Sequence, residues 1–275
     1  MKNRIWKRLT GTSWSNRYYQ VTNGLINAIA GKPLHITHLV EYPRCGGTWI
    51  RHLLQDSLGI PQYAYDRRLS KNTIIQCHKL PSWMIRQAIV VFRDPRDAMV
   101  SFYHKQVHYD QRFRGQRPLE IGSYQHDPDR EPQDDFLAFL KVHLVSPEHP
   151  RFRYGEFAKR WLAASNTCYA KYEDFKKQPA VELDRLTRFL GHSVPADQLA
   201  AAIEKNSFAN RTQRRSGQLR KPGQSDNHQF ERKGIVGDWH NLFNLEARRC
   251  FAELEGETLV TLGYEPDNNW VNSKL

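Results

Sequence analysis

The chain has 275 residues, 39% of them hydrophobic, enough to bury the core of one large α/β domain. Charged residues make up 25%, which excludes a mainly disordered chain. The 41 Lys and Arg against 29 Asp and Glu give a net charge of +12, which favours an anionic partner without choosing among a polyphosphorylated nucleotide, nucleic acid, an acidic glycan or an anionic membrane.

Residues 1–34 mix basic and aromatic side chains (Arg4, Trp6, Lys7, Trp14, Arg17) and are expected to form a helical segment docked on the domain. Peripheral contact with an anionic membrane is the other reading of the same pattern. No apolar run approaches the ~20 residues needed to cross a bilayer. No apolar core follows the basic stretch Met1–Arg8, so no signal peptide is expected. A soluble cytoplasmic protein, at most peripheral at the inner membrane surface, is the expectation. Cys45, Cys77, Cys168 and Cys250 are far apart with no Cys-x-x-Cys pair, which points to reduced thiols rather than structural zinc.

From residue 35 to 275 a single domain is predicted. Ile36–Tyr42 reads as a strand, Pro43–Gly47 as a tight loop and Thr48–Leu58 as a helix. Ile74–Cys77 is a short strand. Ala88–Phe92 is a continuous apolar run, as expected of a strand covered on both faces. Asp94-Pro95 then starts a helix, with Asp94 as cap and proline at the first helical position. Residues 109–134 carry many Gly, Pro, Asp and Arg residues and read as a long loop. Helices are predicted over 136–144, 155–165, 179–190, 195–205 and 245–262, with a strand over 167–171. Residues 209–231 form a basic loop through Arg211, Arg214, Arg215, Arg220 and Lys221. Strands alternating with helices imply an α/β fold in three layers, a mostly parallel sheet between helices.

Tyr42-Pro43-Arg44-Cys45-Gly46-Gly47-Thr48-Trp49 lies between a strand and a helix. Unpaired N–H groups at a helix start bind anions, glycines admit close approach, and Arg44 and Thr48 can add hydrogen bonds. The loop alone is equally readable as a plain strand-to-helix turn. No Gly-x-x-x-x-Gly-Lys-Ser/Thr string occurs.

This string resembles the 5′-phosphosulfate loop of the sulfotransferases that use 3′-phosphoadenosine 5′-phosphosulfate (PAPS), whose usual form is Tyr-Pro-Lys-Ser-Gly-Thr-Thr-Trp. Arg44, Cys45 and Gly47 depart from it. Arg93 and, eight residues on, Ser101 stand in a segment similar to the family's 3′-phosphate element. Arg232-Lys233-Gly234-Ile235-Val236-Gly237-Asp238-Trp239 matches the family's Arg-Lys-Gly-x-x-Gly-Asp-Trp loop at every fixed position. Tyr172-Glu173-Asp174 and Ser207-Phe208 resemble adenine-side segments, with Trp49 on the other face of the base. The family's general base falls at His78, within Gln76-Cys77-His78-Lys79-Leu80-Pro81, where Gln76 replaces a frequent Lys.

The resemblance implies a sulfotransferase fold like that of the P-loop NTPases and transfer of a sulfuryl group from PAPS to an acceptor hydroxyl, without a metal. His78 and Arg44 are then catalytic. Arg44, Cys45, Gly46, Gly47, Thr48, Trp49, Arg93, Ser101, Tyr172, Ser207, Phe208, Arg232, Lys233 and Gly234 hold the cosubstrate, and adenosine 3′,5′-bisphosphate (PAP) is the product. By the same resemblance 105–150 forms part of an acceptor-side wall, and the acceptor leans toward a glycan or glycolipid over a small phenol or alcohol. His104 and His108, one helical turn apart, offer half a metal site at most. A P-loop nucleotide kinase lacks its Walker lysine here, and no nucleic-acid-binding motif supports a polyanion binder. The oligomeric state is not readable.

Overall fold

The computed structural model describes residues 22–31, 33–61, 71–114, 120–121, 124–147, 150–219 and 231–273. Its centre is a parallel sheet of β1 (Ile36–Glu41), β2 (Thr73–Cys77), β3 (Ala88–Phe92) and β6 (Thr167–Lys171) in the order β2-β1-β3-β6. β1 and β3 are buried at every position. That burial explains why β3 reads as an unbroken apolar run. The register sets Leu39 beside Gln76 and Ile89, so the C-terminal ends of β1, β2 and β3 lie at one edge. The chain leaves β2 and returns on the other side of β1, the switch point where crevices form in open α/β sheets.

Helices flank the sheet. A helix over 22–30, α1, is followed by α2 (Gly47–Leu58), α3 (Pro95–Arg114), α4 (Pro132–Val145), α5 (Tyr154–Leu162), α6 (Tyr172–Lys177), α7 (Pro179–Phe189), α8 (Ala196–Lys205), α9 (Phe208–Thr212) and α10 (Leu245–Thr261). One group joins α2 to α7 and α8, and a second joins α10 to α4 and α5. A hairpin of β4 (Glu120–Ile121) and β5 (Tyr124–Gln125) precedes α4. Short 3₁₀ turns cover Asp238–Asn241 and Asn268–Asn272.

Two readings of the sequence are corrected. The stretch 109–134 is not one loop, because α3 runs on to Arg114, the hairpin follows, and α4 opens at Pro132. Asp135 organises this region: its carboxylate accepts from the hydroxyls of Tyr103 (2.8 Å) and Tyr124 (2.7 Å) and lies 2.8 Å from His126 Nδ1. The basic stretch 209–231 begins inside α9, and Arg214 is buried. Its guanidinium donates to the carbonyls of Gln218, Glu231 and Arg232 at 2.6–2.9 Å. Residues 220–230, with Arg220 and Lys221, lie outside the described residues, as do 1–21 of the N-terminal segment. Within that segment, α1 is tied to the 84–86 loop through Arg86 Nε on the Ala28 carbonyl at 2.9 Å. No helix among the described residues is long and apolar enough to cross a membrane.

His38 in β1 and His143 in α4 are buried, and burial lowers both from 6.5 to about 4, with the Lys79 cation adding at His38. His143 stacks on Phe139 with ring centroids 5.3 Å apart and meets the Tyr42 hydroxyl at 3.2 Å. The folded values lie below the unfolded one, so the unfolded chain binds more protons between them. The associated stability is complete above 6.5 and drains away as pH falls toward 4. Urea midpoints should therefore drop between about pH 7 and about pH 5. His143→Phe should shrink that drop, and an undiminished drop would assign it to other groups.

Candidate active site

One cavity of about 420 Å³ opens at the C-terminal edge of the sheet. Each strand delivers a piece of it. β1 leads into the 42–46 turn and α2, β2 into Gln76 and His78, β3 into Arg93, and β6 into Tyr172. Arg44, Gly46, Gly47, Thr48, Trp49, His78, Arg93, Ser101, Tyr172, Phe208, Arg232, Lys233 and Gly234 all line it. Segments up to 190 positions apart in sequence thus converge.

Cys45 and Ser207 do not reach the cavity with their side chains. Cys45 is fully buried with its Sγ 3.6 Å from the Tyr154 hydroxyl, and burial pushes its thiol up, away from reactivity. Ser207 caps α9, its hydroxyl accepting from Asn210 N at 3.2 Å.

The 42–46 turn is held in an unusual shape. Gly46 has φ +92°, and a Cβ there would lie 2.6 Å from the Tyr172 ring. Arg44 also has positive φ (76°), a rare state for a side-chain-bearing residue that needs support from its surroundings. That support comes from Arg93 Nη1, which donates to the Arg44 carbonyl at 3.2 Å, and from Arg44 Nε on Ser101 Oγ at 3.1 Å. Burial, then the Arg93 cation, lowers the Arg44 guanidinium to about 10. Cations crowded in this way suit a polyanion.

Arg93 joins three segments. Besides Arg44, it donates to the Ile235 carbonyl at 3.0 Å, pairs with Asp97 at 3.6 Å, and lies 4.5 Å above the Tyr172 ring. Asp97 accepts in turn from the N–H groups of Gly237 (2.8 Å) and Trp239 (2.9 Å), which moors the 232–239 loop to α3. Next to it, Arg96 is clasped between Trp239 and Trp270 (4.0 and 4.7 Å to the ring centres) and paired with Asp94 and Glu265. Arg232 and Lys233 both contact Asp238. Burial works against that carboxylate, but hydrogen bonds from Lys233 and Arg232 hold it below its ordinary value.

His78 Nδ1 lies 2.9 Å from the Glu41 carbonyl oxygen. A carbonyl only accepts, so Nδ1 carries the hydrogen and Nε2 is the basic nitrogen of the neutral ring. Thr48 Oγ1 accepts from Gln76 Nε2 at 3.0 Å. Trp49 donates from Nε1 to the Asn206 carbonyl at 2.9 Å and packs edge-on to Tyr172.

Several cavity residues escaped sequence reasoning: Glu41, Arg51, Lys105, Lys176, Arg211 as a site residue, and Glu231. Helical spacing carries the missing signal for two of them. Lys105 and Lys176 follow Ser101 and Tyr172 by four positions on the same helices, hence on the same faces. Glu41 had no such signal. The predicted pair His104 and His108 remains only a pair in outline: the side chain of His108 lies outside the described residues. Among the described residues no group of three His, Cys, Asp or Glu is placed to hold a metal.

Residues 62–263, most of the chain, match the sulfotransferase domain family. The chain belongs to that family. Sulfotransferase 6B1 of Homo sapiens is 27% identical to this sulfotransferase over 267 residues, 82% of this chain and 79% of its own. Sulfotransferase 1A1 of Rattus norvegicus is 25% identical over 199 residues, 68% and 61% of the two chains. Mouse sulfotransferase SULT7A1 complexed with PAP superposes with a TM-score of 0.58 at 21% identity, over 86% of this chain and 88% of its own. Retinol dehydratase in complex with androsterone and inactive cofactor PAP gives 0.59 at 16% identity, over 82% and 81%. These structures share the α/β fold. The family match begins at residue 62, past the 42–49 loop that holds the three departures.

Proposed function

We propose that this sulfotransferase takes its sulfuryl group from PAPS, with the nucleotide lying between the 42–49 turn and the 232–234 segment. The convergence of Arg44, Arg93, Ser101, Arg232 and Lys233 with His78 on one cavity carries the reading. Arg93, Ser101 and the 232–234 segment take the 3′-phosphate, and Tyr172, Trp49 and Phe208 flank the adenine. His78 Nε2 accepts the acceptor's hydroxyl proton as its oxygen attacks sulfur. The bond from sulfur to the 5′-phosphate oxygen breaks with its electron pair on that oxygen, and Arg44 and the loop N–H groups stabilise the charge. PAP leaves. SULT7A1 and retinol dehydratase were both solved with PAP, which agrees with this cosubstrate.

The acceptor is a hydroxyl of a glycan or glycolipid, a reading supported by the net charge of +12 and by the polar sequence of 105–150, of which Lys105 lines the cavity. Tyr109 and Phe113, which the sequence offers for the acceptor-side wall, have side chains outside the described residues. A small ring-borne alcohol is the second reading, since retinol dehydratase was solved with androsterone. Residues 35–275 act as one domain, and the N-terminal segment is its peripheral addition.

Thermal unfolding with adenosine 3′,5′-bisphosphate tests the nucleotide site, with ATP plus Mg²⁺ and 5′-AMP as controls. At 100 times Kd the stabilisation is about 2.7 kcal/mol, a rise of several degrees in Tm. A rise for the bisphosphate that ATP does not match is the expected result. No rise, or an equal one with ATP, would sink the reading and return the kinase or a general polyanion binder. A panel of glycan, glycolipid and phenolic acceptors with labelled PAPS then separates the two acceptor readings.

A further inference from the structure

Two residues of the cavity, Glu41 and Glu231, carry the wrong charge for an anion site. Glu41, the last residue of β1, is 3% exposed. Its Oε2 accepts from the Gly47 N–H at 2.6 Å, and its Oε1 accepts from Gln76 Nε2 at 2.6 Å. The Gly47 N–H opens α2 and belongs to the orphan donors that an anion at a helix start would use. Here a side chain of the protein already holds it. The other acid lining the cavity, Glu231, is paired with Arg211 at 2.5 Å. Glu41's hydrogen-bonding side-chain partner Gln76 is an amide, which satisfies a lone pair without cancelling charge; the Arg44 guanidinium feels the carboxylate electrostatically, and no salt bridge joins the two.

The sequence makes room for this arrangement. A Cβ at position 47 would lie 2.5 Å from the Glu41 Cδ and 2.6 Å from Oε1. Gly47 lies outside the positive-φ residues, so the backbone itself does not demand glycine there; the carboxylate does. Gly47 and Gln76, two separate departures from the family's pattern, thus meet on one side chain. The parallel register, with Leu39 beside Gln76, brings the 35-residue-distant Gln76 within its reach.

We infer that Glu41 is an internal competitor of the nucleotide's 5′ anion, a positioning residue whose carboxylate keeps the Gly47 N–H until the 5′ group takes it. The inference rests on the nucleotide reading above. Binding of the 5′ group must displace a like-charged carboxylate, and the carboxylate's return helps the product leave. The proposed 3′-phosphate contacts are at other residues, so a ligand without a 5′ group does not call for the exchange.

Titration calorimetry of wild type and Glu41→Gln with two ligands tests it, adenosine 3′,5′-bisphosphate and adenosine 3′-monophosphate. Glutamine keeps a carbonyl acceptor for Gly47 but removes the charge. The bisphosphate should bind about tenfold tighter to the variant, and the 3′-monophosphate within about twofold of wild type. Gly47→Ala, which crowds the carboxylate off the N–H, should raise the same affinity ratio in wild type and not in the Glu41→Gln background. A ratio unchanged in both variants, or bisphosphate binding that weakens with Glu41→Gln, overturns the inference and leaves Glu41 a brace of the loop. If wild type binds neither ligand, the nucleotide reading falls and takes the inference with it.

Discussion

His78→Asn should lower kcat by about 10²–10⁴-fold while affinity for adenosine 3′,5′-bisphosphate stays within a few-fold. Asparagine keeps a donor for the Glu41 carbonyl that now receives the imidazole at 2.9 Å, so the end of β1 and the turn after β2 stay joined. What it lacks is a nitrogen able to take a proton at neutral pH. The effect should therefore fall on kcat, with KM for PAPS little changed. Steady-state rates with labelled PAPS and a responsive acceptor, beside calorimetric binding of the bisphosphate, give both numbers. A rate loss below about tenfold would remove His78 from the chemistry. Equal losses in rate and nucleotide affinity would instead make it a wall of the cavity.

Asp97→Ala should cost about 3–5 kcal/mol of stability and abolish stabilisation by the bisphosphate. The side chain of Asp97 is wholly enclosed, and three groups depend on it: the Arg93 guanidinium and the N–H groups of Gly237 and Trp239. Alanine leaves a buried cation without its ion-pair partner, with the weaker pull of Glu173 left to offset it, and two donors without an acceptor. Guanidinium unfolding measures the first effect and a nucleotide-dependent Tm the second. The double variant Arg93→Met/Asp97→Leu separates them. It removes both charges, so much of the stability should return, while nucleotide binding should not. A single variant that loses under about 1 kcal/mol and still responds to the bisphosphate would show that the 232–239 loop is anchored elsewhere.

The four strands of the parallel sheet were legible because each is short and bounded by turn residues, whereas the two-residue strands of the β4–β5 hairpin were not. Residues 88–92 and 167–171 begin and end where the sequence placed them. The site was legible where a motif packs its chemistry into adjacent residues, as in 42–49 and 232–239. It was illegible where tertiary structure makes the contact. Glu41 reads in sequence as a polar end to a strand, and nothing local says that Gln76 and Gly47 will share its carboxylate. Residues 109–114 carry Tyr109-Asp110-Gln111-Arg112-Phe113-Arg114, whose weak apolar periodicity hides the last turns of α3. The stretch 209–219 read as part of a basic loop, yet Arg214 is consumed in bracing the carbonyls of Glu231 and Arg232.

The cation held between two indoles ties the far end of the chain to the cavity. Arg96 follows Arg93 by three residues, Trp239 ends the loop that carries Arg232 and Lys233, and Trp270 lies in the final 3₁₀ turn. Residues 268–272 are thus a foundation beneath the 232–239 loop, although none of them lines the cavity. On the proposed function, sequence change in that final turn would register as altered nucleotide affinity, where a surface reading of the same residues would foresee no effect.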